Sequence, residues 1–120
     1  MKILIADDSR AMRLVIRAML REAGFRGLNI VEAVDGADAL AKVGSESPDL
    51  VISDWNMPNK TGIEFLQELR AGGSKVTFGF VTTEVSYEQR SKASEFGAAF
   101  VIAKPFNAKD FELALGPHLN

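Results

Sequence analysis

The stretch Lys2-Ile3-Leu4-Ile5-Ala6-Asp7-Asp8-Ser9-Arg10 changes its character halfway along. Ile3 to Ala6 is an unbroken apolar run, which suits a strand covered on both faces. After Asp7-Asp8-Ser9 the period lengthens: Met12, Val15, Ile16, Met19 and Leu20 fall at i, i+3, i+4, i+7 and i+8, one stripe of a helix. Gly24 follows and can end that helix. A buried strand that runs through a short acidic turn into a helix is the opening of a parallel βαβ unit.

The same alternation continues to the end of the chain. Asn29 to Val34 reads as a second strand, closed by the turn signal Asp35-Gly36. Ala37 to Val43 is a short helix with Leu40 and Val43 inward. Pro48 introduces the strand Asp49 to Ser53, and Asp54 sits just past its apolar core. A polar loop runs to Gly62, and Ile63, Leu66 and Leu69 mark a third helix that stops near Gly72-Gly73. Val76 to Val81 is a fourth strand, followed by a weaker helix from Tyr87 to Phe96 whose apolar residues are Tyr87, Ala93 and Phe96. Phe100 to Ala103 is the fifth strand. Asn107 or Ala108 opens a last helix carrying Phe111, Leu115 and Leu119. Five strand–helix units in strict alternation imply an α/β fold, a parallel sheet with helices on both faces.

Composition bounds the rest. The chain has 120 residues, room for one domain over residues 1–120, with 47% hydrophobic residues and a net charge of −2. These values exclude disorder. They also give no basic excess for nucleic acid, whose binding rests on neutralising phosphates. Arg10, Arg13, Arg17 and Arg21 share one helix face and read as solvated. The absence of cysteine removes disulfides and thiolate metal sites. No apolar segment nears the roughly 18 residues that span a bilayer, and the first apolar run is too short for a signal peptide. A cytoplasmic, monomeric protein is the expectation. Asn59-Lys60-Thr61 matches a glycosylation triplet by accident.

In an open parallel sheet, ligands bind outside the carboxyl ends of the strands. The residues there are Asp7 and Asp8 after the first strand, Asp54 after the third, Thr82 and Thr83 after the fourth, and Lys104 after the fifth. Each has a dull reading: a helix cap, a loop acid, a strand-ending threonine, a surface lysine. Together they form a rim of three carboxylates, hydroxyls and an ammonium. Two carboxylates about 4 Å apart repel by about 4 kcal/mol at an effective dielectric near 20, so such a cluster calls for a proton or a cation. An all-oxygen site with room for water suits Mg²⁺. A carboxylate can also accept a phosphoryl group, and Lys104 and Thr82 could hold its oxygens. The lone histidine, His118, reads as a surface residue.

The same residues carry a resemblance. The chain resembles the receiver domain of two-component response regulators, and within that family the single-domain chemotaxis regulators. The marks are Ile5-Ala6-Asp7-Asp8-Ser9 with Arg13, Ser53-Asp54-Trp55-Asn56-Met57-Pro58-Asn59 with Gly62, Val81-Thr82-Thr83-Glu84, and Lys104-Pro105-Phe106. The resemblance implies a (βα)5 doubly wound, flavodoxin-like sheet of order 2-1-3-4-5. It implies that Asp54 is the phosphoacceptor. Asp8, Asp54 and the carbonyl of Asn56 would bind Mg²⁺, with Asp7 acting through water, and Thr82 and Lys104 would hold the phosphoryl group. Asn56 and Glu84 would tune dephosphorylation. It also implies a cis Lys104-Pro105 bond, a histidine kinase as donor, and a flagellar motor switch protein and a phosphatase as further partners. One position departs from the pattern: three residues before Lys104 the family places Tyr or Phe, which moves with the threonine as a switch, and this chain has Val101. Phe100 is adjacent, but successive strand residues face opposite ways. Lys60-Thr61 replaces the Asp often found before the glycine, in what reads as an exposed turn of little consequence.

The reading that results is a phosphorylation-operated binding switch, not an enzyme, with slow self-dephosphorylation and an output in control of the flagellar motor. A phosphorelay shuttle, a kinase-control receiver and a never-phosphorylated scaffold stand beside it. A haloacid-dehalogenase-like phosphatase would need a second Asp where Asn56 stands, and a flavodoxin-type flavin protein would need a Thr/Ser/Gly-rich loop in place of Asp7 to Arg10.

Overall fold

The computed structural model describes residues 1–83 and 85–119. The elements alternate as β1 (Lys2–Ala6), α1 (Arg10–Glu22), β2 (Asn29–Ala33), α2 (Gly36–Glu46), β3 (Leu50–Ser53), α3 (Gly62–Ala71), β4 (Thr77–Thr82), α4 (Tyr87–Glu95), β5 (Phe100–Ala103) and α5 (Ala108–Leu115). All strands are parallel, in the order β2-β1-β3-β4-β5. The expected α/β architecture and strand order are therefore the observed ones.

The double winding follows from side-chain alternation along each strand. Ile3 and Ile5 of β1 face one side, where they pack with Ile52, Ile102 and the Ile16, Leu20, Phe111 and Leu115 side chains of α1 and α5. Leu4 and Ala6 face the other, with Val51, Phe78 and Phe80 and the Phe65, Leu66 and Ala93 side chains of α3 and α4. Central strands thus need apolar residues at every position, which is why β1 and β3 read as continuous runs.

Each helix begins at a residue whose side chain accepts from the backbone of the first turn: Ser9, Asp35, Thr61, Ser86 and Asn107. The last three form reciprocal capping boxes with Glu64, Gln89 and Asp110. Gly24, at φ +95°, turns the chain out of α1 in a conformation other residues resist.

Several sequence expectations need correction. α2 runs past Val43 to Glu46; Leu40 and Val43 pack against the core as expected, and Ala39 on the same helix is fully buried. Val15 and Tyr87 are exposed, because α1 and α4 each present only a narrow stripe to the sheet. Most consequential, Arg13 does not lie on a solvated face: it is buried against β2.

Candidate functional site

The site is assembled by sheet ladders that continue one residue beyond the strands. The Asp7 N–H donates to the Ala33 carbonyl at 3.1 Å, and the Asp54 N–H donates to the Ala6 carbonyl at 2.9 Å. These bonds place the residues after β1 and β3 side by side. Ser9 caps α1, so Asp8 is not needed for that task. Asp7, Asp8 and Asp54 each offer a carboxylate oxygen, all within 4.8 Å of one another.

Lys104 enters from the end of β5, where its N–H donates to the Thr82 carbonyl at 3.0 Å. Its ammonium lies 3.5 Å from Asp54 Oδ2 and 3.6 Å from Asp7 Oδ2. The Lys104-Pro105 bond is cis. Thr82 is wholly buried at the end of β4, and Asn56 is exposed in the loop after β3. The fold thus brings Asp7, Asp8, Asp54 and Lys104 together, with Thr82 on the adjoining strand. Glu84 lies outside the described residues.

The charges do not balance. Three carboxylates face one ammonium. Asp7 is 1% exposed; Oδ1 accepts from the Ser9 N–H at 2.8 Å, but Oδ2 is buried without a hydrogen bond. Burial raises the Asp7 pKa; the Ser9 N–H opposes this, and the neighbouring Asp54 adds to it. A buried carboxylate oxygen that makes no hydrogen bond, in an all-oxygen cluster with excess negative charge, fits a hard divalent cation such as Mg²⁺.

Asp54 itself is held by its surroundings. Its Oδ1 accepts from the Trp55 N–H at 2.7 Å, and its carbonyl accepts from the Ser53 hydroxyl at 2.8 Å. Trp55 tilts against Phe80 with ring centroids 4.8 Å apart, which seats the acceptor's neighbour in the core. The loop that follows is not the inert exposed turn expected from Lys60-Thr61. Lys60 pairs with Glu68 at 2.6 Å, its carbonyl accepts from the Gly36 N–H at 3.2 Å, and Thr61 caps α3. Asn59, at φ +66°, donates to Asp35 at 2.7 Å. The loop is thereby tied to the start of α2.

Sequence reasoning missed the pairing of Arg13 with Glu32. Arg13 Nη1 donates to the Asp7 carbonyl at 2.6 Å, and its Nε donates to Glu32 Oε1 at 2.6 Å. Partial burial opposes ionisation of Glu32, but the hydrogen bonds from Arg13 and Arg17 outweigh it and lower its pKa. The available signal was Glu32 itself, an acid inside the otherwise apolar run Ile30-Val31-Glu32-Ala33.

At Val101 the alternation holds as expected. Val101 packs on the side of α3 and α4, whereas Phe100 packs with the opposite core and its ring covers Gly79. Val101 also lines a groove with Ala103, Asp110, Leu113 and Ala114, between β5 and α5.

Comparisons with known proteins agree with this geometry. Residues 3–115 match the model of the response regulator receiver domain. "Chemotaxis protein CheY" of Pseudomonas aeruginosa is 40% identical over 111 residues, 91% of this chain and 88% of that protein. "Chemotaxis protein CheY-3" of Vibrio cholerae is 39% identical over 110 residues, covering 90% of this chain and 83% of that one. Among solved structures, chemotaxis protein CheY4 of Vibrio cholerae superposes with a TM-score of 0.85 at 34% identity, covering 98% of both chains. The receiver domain of Francisella response regulator 1452 gives a TM-score of 0.85 at 25% identity, over 97% of this chain and 93% of that one.

Proposed function

The chain belongs to the response regulator receiver domain family, and from that membership we propose that it is a phosphorylation-operated switch of a two-component system, with residues 1–120 acting as one receiver unit and Asp54 as the phosphoacceptor. The observation that carries this reading is the placement of the Lys104 ammonium 3.5 Å from Asp54 Oδ2, beside the carboxylates of Asp7 and Asp8.

The roles follow from the chemistry of each group. An Asp54 carboxylate oxygen attacks the phosphorus of a phosphohistidine on a sensor kinase; the phosphorus–nitrogen bond breaks, and its electron pair returns to the imidazole. Asp7, Asp8, Asp54 and the Asn56 carbonyl are the groups that would hold Mg²⁺, which supplies charge neutralisation for the transferring group and for the crowded carboxylates. Lys104 offsets charge on a phosphoryl oxygen as a point cation, and the Thr82 hydroxyl donates to another. Phosphoryl transfer asks mainly for positioning and electrostatic stabilisation, so no histidine base is required. By the family's pattern, Asn56 and Glu84 are the residues that tune the rate of slow self-dephosphorylation.

A phosphoryl group adds about −1.5 to −2 charges beside Lys104 and Thr82. That change biases Thr82 and the surface formed by α4, β5 and α5, where Val101 and Leu113 border the groove. Its relatives are chemotaxis proteins, which supports an output in chemotaxis, with a flagellar motor switch protein and a phosphatase as partners. Among the described residues no helix is long and apolar enough to cross a membrane. Val101, which cannot fill the place of an aromatic switch, favours a second reading: a phosphorelay or kinase-control receiver whose partner reads a different surface.

The test is intact mass after incubation with acetyl phosphate and Mg²⁺, for wild type and Asp54→Asn, with a metal-free control. One phosphoryl group gained by wild type alone, and only with Mg²⁺, is the expected result. No gain, together with no response of Trp55 fluorescence to Mg²⁺ and beryllofluoride, would leave a receiver-like scaffold as the better reading.

A further inference from the structure

Resting on the reading that Asp7, Asp8 and Asp54 hold a divalent cation, we propose that Arg13 and Glu32 are positioning residues for that cation site, although neither belongs to the acid cluster. The peptide group that joins Asp7 to Asp8 governs where both carboxylates point. Arg13 Nη1 donates to its carbonyl, that of Asp7, at 2.6 Å, and the preceding peptide is anchored to β2, where the Asp7 N–H donates to Ala33 at 3.1 Å. Arg13 is held in turn by Glu32, whose other oxygen accepts from Arg17 Nε at 3.0 Å. The Glu32 carbonyl also accepts from Lys42 at 2.6 Å, which anchors that segment of β2 to α2. A chain of charged contacts therefore runs from the edge strand to the backbone of the acid pair.

Stability alone gives little reason for this arrangement. Buried or half-buried ion pairs are often matched or bettered by apolar side chains of similar volume. A guanidinium beside an acid cluster also opposes cation binding through its field, and Glu32 offsets only part of that charge. The arrangement makes sense if fixing the Asp7–Asp8 peptide matters more for the cation than the adverse charge. Outer groups that orient metal ligands characteristically change metal affinity by 10–100-fold when removed.

The two effects of Arg13 have opposite signs, so one measurement separates them. Mg²⁺ is titrated by calorimetry into wild type, Arg13→Ala, Arg13→Lys and Glu32→Gln, at a temperature where melting curves show each to be folded. Positioning predicts about tenfold weaker Mg²⁺ binding in Arg13→Ala, partial recovery in Arg13→Lys, and a smaller loss in Glu32→Gln. A mere nearby charge predicts tighter binding in Arg13→Ala, and unchanged or tighter binding there overturns the proposal. If Arg13→Ala does not fold, wild-type affinity in both Arg13→Lys and Glu32→Gln overturns it equally. A wild type that takes up no Mg²⁺ overturns the cation reading and this inference with it, whereas equal binding by wild type and folded variants overturns the inference alone.

Discussion

Gly62 packs against the main-chain carbonyl of Asp54 with no room for a Cβ between them. The Gly62 N–H also donates to the Trp55 carbonyl at 2.8 Å, so the start of α3 is folded directly onto the proposed acceptor. The constraint here is steric, since the residue does not use positive φ. Gly62→Ala should therefore lower stability by about 1–3 kcal/mol through overpacking and reduce phosphoryl uptake by moving Asp54. Gly44, inside α2 with open space around it, should behave oppositely: Gly44→Ala should add about 0.5–1 kcal/mol. Urea midpoints of the two variants against wild type check both signs.

Lys104 is the cation between Asp54 and Asp7. In Lys104→Met the positive charge that competes with a metal ion is lost, while the apolar stem is kept. Mg²⁺ affinity should rise, and phosphorylation by acetyl phosphate should slow by on the order of 10²-fold, the usual effect of removing one electrostatic stabiliser of a transition state. Calorimetry and time-resolved intact mass measure the two quantities. Slower phosphorylation with unchanged or weaker Mg²⁺ binding would show that Lys104 organises the acids instead of merely opposing them.

Glu32 should leave a signature in the pH dependence of stability. Its folded pKa is depressed, because hydrogen bonds from Arg13 and Arg17 outweigh its partial burial. A depressed carboxylate stabilises the fold fully above its unfolded pKa of about 4.3, and that contribution is lost as pH falls through the lower folded value. Asp35 and Glu64 act in the same direction, through backbone N–H groups at helix caps. Asp7 acts in the opposite direction, since burial raises it. These three remain in Glu32→Gln, so the difference between the pH profiles isolates Glu32. The urea midpoint of wild type should fall more steeply with acid below about pH 4.3 than that of Glu32→Gln; parallel profiles would contradict the pairing.

Val101 predicts an altered relay from the site to the partner surface. Val101→Tyr supplies the aromatic residue that the family places there. Partner affinity, measured with and without beryllofluoride, should show a larger activation in the variant than in wild type. A large gain in wild type, left unchanged by the substitution, would dispose of the idea.

Much of the fold was legible because parallel sheets leave a plain trace. Central strands are covered on both faces, so Ile3–Ala6 and Leu50–Ile52 are unbroken apolar runs, while helices show a longer period and a polar cap. Asp7, Asp8, Asp54, Thr82 and Lys104 were legible as a group because the carboxyl ends of such strands share one rim. Arg13 was misread because helix periodicity reports spacing and not which neighbour a face meets. Its burial depends on Glu32, 19 residues away on an edge strand. The exposure of Val15 and Tyr87 was missed for a related reason: it depends on how narrow a stripe the sheet covers.

The sequence by itself determined the alternation of elements, the helix caps and the residues that end each strand, since these rest on local period and on backbone groups within a few positions. Tertiary structure alone decided that three carboxylates converge within 4.8 Å with a buried Asp7 oxygen left without a hydrogen bond, that Lys104 reaches between two of them, and that Arg13 braces the acid pair from behind. Those features depend on distances between segments tens of residues apart. Such distances are set by sheet register and core packing, and one-dimensional spacing does not contain them.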